Sequence, residues 1–560
     1  MSGVKSSENM VFTARRADDY ADVSAIYNED ITIDKASAPN ATPYYRSMES
    51  DDFFYDGSRI CFMRVPLKQG KKTRVVFERT FKAPEQFCRL GLWQRFHTLS
   101  STTIIKVPAA LAGRIYVKPY RFREGMTLNA DTLPDGAIHY TITATDIAPL
   151  RQEPGAPSPA ISEPHIMIGG YFADTDELYS HLASFVSEPE DYGADIAALA
   201  AELRAKAADD QSLIDTTAAW VRHNIRYLAI EHGEYGVRPA EASQVLAHKA
   251  GDCKGSANLI KALLKSNGID TRLVWIGTEG KIATGWTEFP ALSSGNHMIA
   301  AAMLGDSIIY LDGTTAYCPP GYLPPWLRRR SVLIENGDRP LLSSVPDACR
   351  ERDTDTLVAR FRIDGTELKG TIERRASGVI HMALQQTLSN MPPREHAAFV
   401  DRYLRYPKKS VSVNNTDIHA PRGAQSMTIR ADVTEAASAM QLGDRILLDL
   451  KPIRSTAIET VSVKDRRQDY CLPISYTSVY DYIVEIPEGY RPEQLPEPFS
   501  INDEWLRADI EYSFSDGRII CRAMCAPAST YVPLRSLDQR NASVRALLRA
   551  SDTRIALIPE

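Results

Sequence analysis

Cys253, His297 and Asp312 are the residues whose types, order and surroundings could carry nucleophilic chemistry. Cys253 follows Gly251-Asp252, where a loop gives way to a stretch with helical spacing of apolar residues. That pattern predicts a cysteine in the first turn of a helix running to about Ser266, with Asn267-Gly268 as its stop. There the sulfur faces backbone N–H groups without intrahelical partners, and the positive end of the helix dipole. Both favour the thiolate, which is the nucleophilic form. The same N–H groups can hold an oxyanion that forms beside the sulfur. Position alone does not decide for catalysis, because cysteine is among the most buried residue types and a packed cysteine is the commoner case.

His297 opens an apolar run (Met298 to Met303), and Asp312 closes the next (Ser307 to Leu311). Gly305-Asp306 between them reads as a two-residue hairpin turn, which pairs Leu304 with Ser307. Ile299 then faces Asp312 and His297 faces Thr314, so the histidine and the aspartate are diagonal neighbours on one face. A carboxylate there can fix the imidazole tautomer and stabilise its protonated form. A three-residue loop would instead place the two on opposite faces. Taken singly, a histidine at a strand end is more often an edge residue, and an aspartate before Gly313 a turn former.

Other elements must hold these groups in place. From about Asp52 to Asp146 the chain reads as short strands, clearest at Arg59 to Val65, Thr73 to Phe81, Thr103 to Val107, Arg114 to Val117 and His139 to Ala144. Pro149 to Pro164 reads as a linker or covering loop. After Tyr171 the texture turns helical at Asp174 to Phe185 and Asp195 to Ala207. Asp209-Asp210 can cap a further helix carrying Ile214, Val221, Ile225 and Leu228. Strands return from about Thr356: Leu357 to Ile363, Glu367 to Glu373, Met427 to Val433, Tyr480 to Ile486 and Ile510 to Ser515. A helical insertion from Gly378 to Tyr406 is interrupted by Pro392-Pro393. The expected organisation is an all-β domain over 1–170, an α+β core over 171–350 and a β-rich domain with a helical insertion over 351–560.

Composition narrows the function. With 560 residues, 44% hydrophobic and 24% charged, the chain has an ordinary globular make-up and is too long for one core. A net charge of −6 without a basic stripe argues against a nucleic-acid binder, and Arg328-Arg329-Arg330 reads as a solvated turn. No window approaches the roughly eighteen apolar residues of a membrane span. Eight scattered cysteines do not make a disulfide scaffold. Cys521 and Cys525 are too far apart along a strand to bridge, and lack companion ligands for a metal. No calcium loop is visible, so no metal or cofactor is expected.

The segments Asn224-Ile225-Arg226-Tyr227, Arg238-Pro239, Ala242 to Leu246, Gly251-Asp252-Cys253-Lys254, Asn296-His297 and Tyr310-Leu311-Asp312 together resemble the transglutaminase-like superfamily. The resemblance implies a papain/transglutaminase-like α+β core with Cys253 as nucleophile, His297 as base and Asp312 as the residue that orients it. More weakly, the flanks resemble the β domains that accompany this core in bacterial proteins, giving a multidomain fold with two flanking domains of β-sandwich type. Gly255 and Ser256 depart from the acidic or larger polar pair that relatives carry after the cysteine. Tyr227, Trp220 and Gln244 are candidates for a second oxyanion donor.

The implied reaction is acyl transfer from an amide or peptide bond through a thioester, with water or an amine resolving it. The outcome is a peptidase or amidase, or a crosslinking enzyme, and the resemblance leans towards hydrolysis. A protein or peptide would be the substrate, and Asp252 and Glu288 suggest a cationic one. Relatives of this kind are exported or surface-associated, which points to a periplasmic or cell-surface place, while Met1 to Asn9 lacks the apolar core of a secretory signal. The competing reading is a non-catalytic scaffold or surface-binding protein that keeps the fold and the triad.

Overall fold

The computed structural model describes residues 3–560 other than 15–18, 49–53, 188, 190, 232, 279, 281–283, 348–349, 406–409, 422–423, 456 and 473. Cys349 and Tyr406 therefore lie outside the described residues. The chain forms two compact units. One comprises Met1–Gln152, Ser158–Ala316 and Trp326–Pro346, and the other Glu153–Pro157, Tyr317–Pro325 and Asp347–Glu560.

Alternation drives the N-terminal strands. In Arg59–Leu67 the residues Cys61, Met63, Val65 and Leu67 turn inward, and its partner Asp19–Tyr27 turns in Ala21, Val23 and Ala25. These side chains share a core with Met10, Phe12, Val75 and Phe77 from a six-stranded antiparallel sheet. Strands begin well before Asp52. Val4–Phe12 lies inside the six-stranded sheet, between Thr73–Phe81 and Thr98–Val107. Its polar run Ser6 to Asn9 hid it, and the charged and amide members of that run are met from the neighbouring strand. Glu8 pairs with Arg79, and the Arg74 guanidinium donates to Asn9 Oδ1 at 2.6 Å.

The same unit carries the α+β layer. Asp209 caps the helix Asp210–Asn224 in a reciprocal box with Ser212. The helix Cys253–Lys265 ends before Gly268, whose φ of 79° is the left-handed stop expected of Asn267-Gly268. It packs Leu259 and Leu263 onto Leu273, Ala300 and Leu311 of a five-stranded sheet. The order in that sheet is Ser307–Leu311, His297–Leu304, Thr271–Ile276, Ser331–Ile334 and Leu341–Ser344. The hairpin register is the expected one, with Leu304 opposite Ser307 and Ala300 opposite Leu311. Gly305 takes a φ of 58°, as the first central position of such a turn requires. The basic run is not a solvated turn: Arg328 is buried, and Arg330 Nε donates to the Gly277 carbonyl at 2.9 Å. The Gly277 carbonyl satisfies the Arg330 guanidinium away from water, while Arg329 between the two is exposed.

The second unit is built on an eight-stranded sheet that includes Thr354–Asp364, Glu367–Ser377, Ser426–Glu435, Thr477–Glu485 and Leu506–Ser515. Its helical insertion is two helices, Gly378–Ser389 and Pro393–Arg405, broken at Pro392-Pro393. Among the described residues no helix is long and apolar enough to cross a membrane.

Gly313 joins hairpin to helix. A Cβ there would lie 3.0 Å from Ser256 Cβ and 3.2 Å from Ile260 Cδ1. Gly313→Val is expected to destabilise the unit by about 1–3 kcal/mol through overpacking, read as a lowered urea midpoint. An unchanged midpoint would mean that the contact yields freely.

Candidate active site

Asp252 makes the start of the helix. Its backbone is extended, and its carboxylate accepts the Gly255 N–H at 2.8 Å. Cys253 is thus the first helical residue. The preceding loop is pinned where Ala250–Gly251 pairs in parallel with Arg226–Tyr227, and the Leu228 N–H donates to the Gly251 carbonyl at 3.1 Å. This pairing brings Tyr227 to the cysteine. Gly255 lets the neighbouring helix Ala242–His248 approach, because a Cβ there would sit 2.9 Å from Val245 Cγ2.

His297 begins its strand and Asp312 follows the last residue of the next. His297 Nε2 lies 3.5 Å from Asp312 Oδ1. The carboxylate is 2% exposed and needs every partner it has. Thr314 donates to Oδ1 from its N–H at 2.8 Å and its hydroxyl at 2.7 Å, and the Thr315 hydroxyl donates to Oδ2 at 2.8 Å. Arg222 Nη1 donates to the Asp312 carbonyl at 3.1 Å. Burial opposes charge on Asp312, yet His297 and then the Thr314 hydrogen bonds hold its carboxyl well below the usual carboxylate range. Burial likewise opposes charge on His297, but Asp312 and then Cys253 outweigh it and bring the imidazole up to about 10. The histidine is therefore an imidazolium at neutral pH, with Asp312 and Cys253 as its two side-chain partners.

Cys253 is buried but not isolated. With Lys254, His297, Asn296, Trp275 and Trp286 it lines a cavity of about 350 Å³. Gly295 has no side chain because the Trp286 ring lies against it. Of the three oxyanion candidates, Tyr227 is the one that interacts with Cys253, although it is not among the residues lining the cavity. Burial first, and then Cys253, Glu231, Asp252 and Asp312, raise its phenol far above the ordinary value, so it remains a donor. Gln244 is exposed and lines a different hollow, with Leu228, Ile230 and Tyr235. Trp220 instead lies under the Lys249 ammonium, 4.6 Å from its ring centroid.

Sequence reasoning missed other cavity residues. Lys254 is buried, its ammonium touching Asp252 and lying 3.3 Å from Glu231 Oε1. Burial opposes that charge, but Cys253, Asp252 and Glu231 leave its pKa pushed up to about 12. Glu29, Asp30 and Asp56, from loops between the N-terminal strands, also face the cavity, whereas Glu288 is exposed and is not among its lining residues. No local motif marks these acids; only the fold brings them to the cysteine. Cys521 and Cys525 lie buried in one strand, and burial pushes both thiols up to about 12.

Known proteins resemble this chain in family and fold. The family model of the transglutaminase-like superfamily matches residues 197–312, from the helices behind the site to Asp312 itself. Residues 197–312 form a transglutaminase-like domain. Residues 444–525 match a domain of unknown function, DUF3858. A solved structure from Parabacteroides distasonis, described as a candidate protease, shares the fold with a TM-score of 0.60 and 12% identity, over 96% of this chain and 91% of that chain. A second, a candidate cysteine protease from Cytophaga hutchinsonii, is 12% identical over 56% of this chain and 76% of that chain, with a TM-score of 0.18. Among curated proteins, none matches.

Proton linkage in the transglutaminase-like domain follows from the His297–Asp312 pair. The imidazole is raised in the fold, so its stabilisation is complete below the unfolded value of about 6.5 and is lost as pH rises through about 10. Asp312 is lowered, so its contribution is present above about pH 3.9 and fades as pH falls towards its folded value. Asp312→Asn is expected to drop the His297 pKa by about 1–3 units, measured by NMR titration of the imidazole protons. A pKa that stays near the wild-type value would show that Asp312 does not hold the charge.

Proposed function

We propose that the transglutaminase-like domain is a cysteine acyl-transfer enzyme acting on amide or peptide bonds, with Cys253 as nucleophile, His297 as its proton partner and Asp312 as the orienting carboxylate. The observation that carries this reading is that Cys253, at a helix start, and His297, backed by a buried Asp312, open onto one cavity. The attacking form is the Cys253 thiolate, with the His297 imidazolium beside it. The sulfur attacks the carbonyl carbon, and the C–S bond forms as the carbonyl electrons move to oxygen. First-turn N–H groups of the helix and the Tyr227 hydroxyl stabilise that oxyanion. Collapse breaks the C–N bond, His297 gives its proton to the leaving amine, and a thioester remains. Water, losing a proton to His297, then cleaves the C–S bond and releases the acid; an amine in its place would give crosslinking.

Hydrolysis is the outcome we favour, in keeping with the description of the Parabacteroides distasonis neighbour as a candidate protease. A scaffold role would suit a cysteine away from any cleft, whereas Cys253 lines one. Glu29, Asp30, Asp56 and Glu231 outnumber Lys254 and His297 among the charged lining groups, which favours a substrate with a positive charge near the scissile amide.

Cys253→Ala and His297→Ala are each expected to lower turnover of an amide substrate by at least about a thousandfold, with an unchanged far-UV circular dichroism spectrum. Wild-type turnover by the Cys253→Ala protein would refute the mechanism. The double variant Glu29→Gln with Asp30→Asn is expected to raise KM for a lysine-containing peptide about twofold to fivefold, the scale of partly exposed charge pairs, while a neutral peptide is unaffected. Equal KM changes for both peptides would remove the charge argument.

A further inference from the structure

Asp252 already caps the catalytic helix through the Gly255 N–H, so the ion cluster beside it is not needed to start the helix. Lys254 is nevertheless 5% exposed, and an ammonium is buried only at considerable cost unless it is well paired. Its partners are the Asp252 carboxylate, in direct contact, and Glu231 at 3.3 Å. The Cys253 sulfur and one oxygen from each of these carboxylates lie within 4.8 Å of one another. Two carboxylates at that range would oppose ionisation of the thiol. The ammonium is bound to both.

We propose that Lys254 is a positioning residue for the nucleophile, its buried ammonium offsetting Asp252 and Glu231 so that Cys253 ionises beside them. The proposal rests on the reading of Cys253 as a nucleophile. Among the described residues, the other ionisable groups around the sulfur are His297 from the central sheet, Asp312 behind it, the phenol of Tyr227, and Glu29, Asp30 and Asp56 on the same cavity. His297 and Asp312 are paired with each other, and Tyr227 stays neutral. The charge of the Asp252–Glu231 pair is therefore left to Lys254.

The N-terminal strands take part in this arrangement. Ala229–Ile230 pairs in parallel with Phe54–Tyr55, and the Glu231 N–H donates to the Tyr55 carbonyl at 2.7 Å. A strand nearly two hundred residues upstream of the cysteine thus sets the position of a carboxylate that Lys254 must balance.

The test is iodoacetamide alkylation of the full-length chain as a function of pH, with Cys253 quantified by peptide mass spectrometry. Lys254→Met is expected to move the alkylation midpoint up by about 1–3 units. Lys254→Arg should stay close to wild type, and Glu231→Gln should move it down. Opposite signs for Lys254→Met and Glu231→Gln are what loss of local structure would not produce. If the wild-type thiol reacts near neutral pH and neither variant shifts the profile, the Lys254 proposal falls and the enzyme reading stands. If wild-type Cys253 reacts only above about pH 8.5, like a free thiol, both fall. Should Lys254→Met fail to fold, the Glu231→Gln profile decides, and the absence of a downward shift overturns the proposal.

Discussion

The charge on Asp312 has to be kept in the interior, and much of the transglutaminase-like domain is arranged around that requirement. A carboxylate with 2% exposure is tolerable only when its lone pairs are filled and an opposite charge stands close. Thr314 and Thr315 fill them from the same turn, and His297 supplies the charge. The imidazole held as a cation has Cys253 as its second side-chain partner. The hairpin fixes His297 beside Asp312, Gly313 brings that turn onto Ser256 and Ile260, and the helix they belong to begins with Cys253. Stability and reactivity thus share the same few contacts.

A second balance lies on the other side of the sulfur. Asp252 is useful as a cap, but it places negative charge beside a group meant to become negative. Glu231 adds more. Lys254 pairs with both from within the protein, so Cys253 sits between two paired sets of charges, His297–Asp312 and Lys254 with its carboxylates. Tyr227, kept neutral by its surroundings, contributes a dipole and no charge. The exposed part of the cavity is different in kind, since Glu29, Asp30 and Asp56 are turned toward whatever enters.

What could be read from the sequence follows the range over which each constraint acts. The register of His297–Leu304 on Ser307–Leu311 was legible because a two-residue turn leaves one pairing, and that pairing puts His297 and Asp312 on one face. The helix from Cys253 was legible from its cap and its Asn267-Gly268 stop. The partnership of Lys254 with Glu231 was not, because Glu231 reaches the site through pairing with Phe54–Tyr55, which no local pattern announces. Val4–Phe12 escaped notice because its polar run breaks the alternation, and its Glu8 and Asn9 find their partners on a neighbouring strand. Arg328 looked like surface in a basic run, yet the fold buries it. Gln244 stood in the right segment of sequence but on the wrong side of its helix for the catalytic cavity.

The most direct test of the central claim, that Cys253 and His297 form a reactive ion pair, is the pH dependence of Cys253 alkylation in the wild type and in His297→Ala. The wild-type thiol is expected to react well below about pH 7, and His297→Ala to lose this reactivity while keeping its fold. A wild-type profile with a midpoint near that of a free thiol, about 8.5, or one unchanged by His297→Ala, would contradict it.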